Sequence, residues 1–186
     1  MMQTKFIRER IDYTGEQLRS HWIYQRFGIL GDAMVSFIGR CNISFGDMVD
    51  LEDISAKSPI RSDLMLHFIV EHFEADLEKA ILRQRLLMAI ILEELNRKVG
   101  AVVFRRDGDD IFAEDGKLSV SIATCSPVSI LIHTGLNITT EGTPVKTAGL
   151  AEYGIDPRSL AEAVMARYAE EIEGMALARV KVRWVT

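Results

Sequence analysis

The chain has 186 residues, 48% hydrophobic and 26% charged, with a formal net charge of −5; this suits one packed domain over residues 1–186 that buries roughly 70% of its unfolded surface. The negative balance excludes general nucleic-acid binding, which needs clustered Lys and Arg, and no apolar run reaches the roughly 18 residues of a membrane span. Cys41 and Cys125 make neither a disulfide framework nor a zinc-finger spacing, and with no signal-peptide pattern a cytoplasmic location is expected.

Thr14 followed by Gln17 has the form of a capping box and predicts a short helix over 15–26, with Leu18 and Trp22 inward. Residues 28–40 read as a strand and 44–62 as a loop-rich crossing. The run "DLMLHFIVEHF" is apolar on both alternating faces, the pattern of a central strand covered on both sides. From Glu74 to Lys98 the pattern is a long helix, acidic at its start and basic at its end, with Gly100 placed to terminate it. Strands follow at "AVVFRR", "KLSVSIATC" and "SILIHTGLNI". Asp156 and Pro157 open a last helix whose inner stripe is Leu160, Val164, Tyr168, Ile172 and Met175. "ARVKVRWV" alternates as a closing edge strand, an edge through which two copies can pair as a homodimer. The order indicates an α+β (mixed α/β) fold, a mixed β-sheet flanked by helices.

Within the strand that follows Lys117, Ser119, Ser121, Ala123 and Cys125 share one face, and Leu118, Val120, Ile122 and Thr124 the other. So empty a face gives a ligand room to approach the backbone. A lysine directly after an Asp-Gly turn is ordinarily solvated; at the mouth of an open face it can hold an anion, with Arg40 or Arg105 as a further cation. Asp107, Asp109 and Asp110 form either a solvated acidic loop or a strand-end group that orients a ligand or Mg²⁺. His67 and Glu71 share a strand face with His72 opposite, while His133 and Asn137 share a face of their own strand. That allows a metal-dependent hydrolase or lyase built on His67, Glu71 and His133. Inward polar residues more often form a hydrogen-bonded cluster, and no established ligand spacing is present, so no resident metal is assigned. Cys125 reads as a core thiol before a nucleophile. No nucleophile elbow or phosphate-cradling lysine loop occurs.

The segments "GDDI", "GKLSVSIA" and "HTGLNI" resemble the core of the biotin and lipoate protein ligases: a polar strand end, a turn, a Lys-x-x-Gly-Ile-like strand and a strand ending Gly-x-Asn. With "MVDLEDI" and "LMLHFIVEHF" added, nearly the whole chain is similar to the domain of unknown function 366 family. The ligase resemblance implies a class II aminoacyl-tRNA synthetase-like fold. It also implies activation of a small carboxylic acid by ATP and Mg²⁺ to an acyl-adenylate, then transfer to a lysine of a carrier protein. By position, Lys117 would be the catalytic anchor for carboxylate or adenylate. Asp109 or Asp110 would take the strand-end position, and Ser119, Ser121 and Ala123 would line the pocket. Of the acyl-enclosing glycine loop only Gly39, Arg40 and Gly46 remain, and Val120 or Ser121 replaces the motif glycine. A non-catalytic small-molecule binder of the same fold stands as the alternative.

Overall fold

In the computed structural model, which describes residues 2–57 and 59–185, the first long apolar run is strand β3 (Ile60–His72), buried continuously from Met65 to His72. It is the middle strand of a five-stranded sheet, with β2 (Ala33–Ile43) and then β1 (Gln3–Phe6) on one side, and β8 (Ile130–Asn137) and then β7 (Ser119–Cys125) on the other. β1 runs parallel to β2 and every other pair is antiparallel, so the sheet is mixed. A small antiparallel sheet of β4 (Phe104–Asp107), β5 (Asp110–Ala113) and β6 (Gly116–Lys117) leads into β7.

One face of the large sheet is covered by two long helices. Helix α3 (Leu77–Val99) starts where the Asp76 carboxylate accepts the Lys79 N–H and ends at left-handed Gly100; it packs on β7 and β8. The last helix, α4 (Pro157–Lys181), is capped by Asp156 at the Ser159 N–H and packs on β1, β2 and α3. Leu66, Phe68, Val70, Leu87, Met88, Ile132, Leu160 and Val164 meet in this core. The opposite face has a shorter cover. Ile7, Tyr13 and the helix α1 (Trp22–Phe27) pack over β2 and β3, against Val35, Phe37, Cys41 and Ile69. That cover reaches β8 through Tyr13, stacked on His133, and leaves much of the outer face of β8 and β7 to a cavity.

Three sequence expectations change. The 15–26 helix shortens to α1: the Thr14 N–H does donate to Gln17 Oε1, but His21 takes a left-handed backbone (φ 65°) and the helical path begins only after it. The 44–62 crossing holds a short helix, α2 (Leu51–Ala56), whose N-cap carboxylate Asp50 accepts the N–H groups of Glu52 and Asp53; Ser58 lies outside the described residues. The closing edge strand is absent. Residues 178–181 continue α4 and Val182 to Val185 form no regular element, so strand-paired dimerisation has no strand there to use. The β-branched alternation at 180–185 never meets a sheet edge that would select it.

Candidate functional site

A cavity of about 400 Å³ occupies the uncovered outer face of β8 and β7, closed over by the segment 43–62 and the loop 143–147. That loop is held by backbone pairing: Lys117 N–H donates to Lys146 O and Ala148 N–H to Lys117 O. Gly116 makes the approach feasible, because a Cβ there would stand 2.9 Å from the Thr147 carbonyl carbon.

The cavity floor is the face of β7 that carries Val120 and Ile122, joined by Met65 of β3 and His133 of β8. The small-residue face is therefore not the floor. It points at α3, which fills it. Ser121 Oγ lies 2.9 Å from Thr134 Oγ1 and accepts from Gln84 Nε2 at 3.0 Å, Ser119 Oγ accepts the Ile111 N–H at 2.8 Å, and Ala123 packs in the α3 core. Small side chains were needed there so that a helix could sit close. Ser119 and Ser121 still border the cavity, through the strand edge. Asn137 N–H donates to Leu118 O, and antiparallel pairing alternates, so the backbone N–H and C=O groups of Ser119 and Ser121 turn away from β8 toward the free edge.

Ser62 reaches the cavity by an irregularity. Gly39 faces Met65 but Cys41 faces Ser62, so three steps on β3 match two on β2. This bulge brings Ser62 to the face that carries Met65 and Cys41. Its Oγ is buried with no hydrogen-bond partner.

The rim is charged. Lys117 Nζ lies 2.9 Å from Asp110 Oδ2, both side chains about a third exposed (35% and 30%). Asp109 accepts from Gln84 and Arg85, each at 3.1 Å. Asp47, Asp50 and Asp53 also line the cavity, with Arg61 as a second cation beside Lys117. Burial and the neighbouring Asp50 push the Asp53 carboxyl above its usual range. Deeper in, His133 Nε2 and His67 Nδ1 lie 3.1 Å apart, His67 Nε2 lies 3.3 Å from the Gly39 carbonyl, and the Tyr13 ring stacks on His133 with centroids 3.6 Å apart. Burial holds both imidazoles below their ordinary range, His67 down to about 4.

Of the residues singled out in the sequence, Lys117, Asp109, Asp110, Ser119, Ser121, His133 and Asn137 border this one cavity. Arg40 does not: it is exposed on β2, beside Arg10 and Asp12 around a shallow depression. Arg105 is exposed too, its guanidinium 4.6 Å above the Phe112 ring. Ala123 is core packing and Cys125 lies outside the lining. His67, Glu71 and His133 do not converge, because Glu71 Oε1 is taken by the His21 N–H and the Ser129 hydroxyl, each at 2.8 Å. No group of three or more metal-ligating side chains occurs among the described residues. The sequence offered no signal for Tyr13, Ser62, Asp50 or Asp53 as cavity residues, since each arrives through a bridge, a bulge or a crossing segment. Met65 sits on regular β3, whose two apolar faces do not tell which one borders a cavity.

The protein of unknown function from Pyrococcus horikoshi shares this structure with a TM-score of 0.95 and 46% identity, each chain covered in full (100%). A biotin protein ligase variant from Aquifex aeolicus in complex with biotin superposes with a TM-score of 0.61 at 14% identity, over 92% of this chain and 70% of that one. Protein Ta0514 from T. acidophilum, with bound lipoic acid, gives 0.60 at 15% identity, over 92% and 86%. At such identities the likeness is one of fold: the architecture is that of the biotin/lipoate ligases. Residues 2–183 match the family described as domain of unknown function (DUF366), and the chain belongs to that family.

Proposed function

We propose that this protein binds one small carboxylic acid with an apolar body in the cavity beside β7, its carboxylate exchanging with Asp110 for the Lys117 amine. The observation that carries this is the Lys117–Asp110 pair at the rim of a cavity of about 400 Å³, a volume in the range of small-molecule sites. Ile43, Met48, Val120 and Ile122 offer an apolar wall, and the strand-edge amides of Ser119 and Ser121 offer donors. A pair as exposed as Lys117–Asp110 is worth about 1 kcal/mol or less, so a ligand carboxylate can replace Asp110 cheaply. Two structures of the same fold hold biotin and lipoic acid.

The lining carries five aspartates, Asp47, Asp50, Asp53, Asp109 and Asp110, against Lys117 and Arg61. That excess of negative charge does not fit a triphosphate. Acyl-adenylate formation and transfer to a carrier protein form the second reading, favoured only by the position of Lys117. ATP–pyrophosphate exchange driven by octanoate and lost in Lys117→Ala would establish it.

Calorimetric titration with octanoate tests the binding reading. The Lys117→Ala protein should keep its fold and bind roughly ten- to a hundred-fold more weakly, the loss of a charge-assisted hydrogen bond of about 1.5–3 kcal/mol. Equal affinity in the two proteins would remove Lys117 from the site.

A further inference from the structure

Tyr13 and His133 line the cavity as a stacked pair, and His133 is hydrogen-bonded behind it to the imidazole of His67. The tautomers of the two imidazoles follow from their partners. The Gly39 carbonyl can only accept, so His67 Nε2 carries the proton in that 3.3 Å contact. Burial keeps His67 neutral, which leaves its Nδ1 bare. That nitrogen must then accept at 3.1 Å from His133 Nε2–H. His133 is neutral as well, through burial and the neighbouring His67, so its own Nδ1 keeps a lone pair. No side chain or backbone group donates to His133 Nδ1 among the described residues. His133 itself lines the cavity. The ring cannot turn to change this. Tyr13 lies flat on it at an interplanar angle of 9°, and rotation would break the bond to His67.

We infer that His133 is a specificity-determining acceptor, which selects a ligand whose polar head carries an N–H or O–H donor. Tyr13, which lines the same cavity, carries a hydroxyl that can serve an acceptor on the same head. An acid with a purely hydrocarbon body, such as octanoate, can still hold Lys117 but leaves these inner groups unpaired, so it should bind more weakly than an acid whose far end carries such a head. The inference builds on the small-molecule reading of the cavity and adds what the inner end of the molecule must contain. It does not involve Lys117.

The probes are 2-piperidone, a lactam with one N–H beside its carbonyl, and N-methyl-2-piperidone, which has the same ring without the donor. In protein labelled with ¹⁵N at histidine, long-range ¹H–¹⁵N spectra report each ring nitrogen directly. The free protein should show His133 with Nε2 protonated and Nδ1 bare. Titration with 2-piperidone should move the Nδ1 resonance saturably, and the N-methyl compound should bind about tenfold more weakly. Lys117→Ala should retain that preference, and His133→Phe should lose it. A protonated Nδ1 in the wild-type protein overturns the inference without any variant having to fold. Equal binding of the two lactams overturns donor selection alone. Failure of both lactams to perturb any cavity residue overturns the inference and leaves the Lys117 carboxylate reading, which octanoate titration tests, standing.

Discussion

Burying two histidines side by side has a consequence for stability as well as for recognition. Both are neutral in the folded protein, His67 with its pKa lowered from 6.5 to about 4, while in the unfolded chain each titrates near 6.5. The unfolded state therefore binds more protons than the folded state once the pH falls below about 6.5. Stability is complete above that pH and declines as the pH drops toward 4, by up to about 1.4 kcal/mol per pH unit for each histidine. Urea unfolding at stepped pH should show this slope, and a curve level from pH 7 to pH 4 would mean the imidazoles are not held neutral. Asp32 adds to the acid limb. Its carboxyl is lowered chiefly by the hydrogen bond to His72 and further by the Phe73 N–H, against the opposing effect of burial. Its contribution is present above the ordinary carboxylate range and lost as the pH falls through its depressed folded pKa. At this scale the sequence was legible where chemistry is local: Asp156, Pro157 and Gly100 act as their types require. The Asp115-Gly116 signal is off by one, since the two-residue turn is Glu114-Asp115, with Glu114 left-handed (φ 50°) and Gly116 already in β6. Ser62 was illegible, since its direction depends on a bulge that only the pairing of β2 with β3 creates.

Strand β7 shows how an element can be found correctly and oriented wrongly. Alternation separates Ser119, Ser121 and Ala123 from Val120 and Ile122, but alternation alone does not say which side a helix will cover. The close approach of α3 settles it, with Gln84 and Met88 reaching over the serine side. Two substitutions separate the arrangements. Ser121→Leu should destabilise the protein by about 1–3 kcal/mol, because the added volume must displace α3, while ligand binding survives. Val120→Trp should fill the cavity and abolish octanoate binding with little loss of stability. The reverse pattern in denaturation and calorimetry would put the serine face back on the cavity floor. Strands β5 and β6 escaped detection for another reason: at four and two residues they are too short for a period to register.

For the whole molecule, the sheet is covered completely on the α3–α4 face and incompletely on the other, and the site is what the incomplete cover leaves. The long helix and the central strand were legible because they extend over many residues of one period, while the ligase-like arrangement rested on the resemblance of three short motifs. The closure of the cavity was not. Its outer wall comes from 43–62 and 143–147, which touch β6 and β7 only through tertiary approach. The terminal residues stand outside this architecture: Val182, Trp184 and Val185 are 69%, 85% and 93% exposed. Deleting the chain from Val182 onward should leave the melting temperature unchanged, and a clear drop would show that the tail packs on the body.

The central claim, that the cavity beside β7 takes a small carboxylic acid at Lys117, is tested most directly by a crystal structure grown with octanoate. The account predicts an acyl chain lying against Val120 and Ile122, its carboxylate within hydrogen-bond distance of Lys117 Nζ and Asp110 displaced from the amine. Density confined to other surfaces, with the Lys117–Asp110 pair unbroken at saturating octanoate, would contradict it.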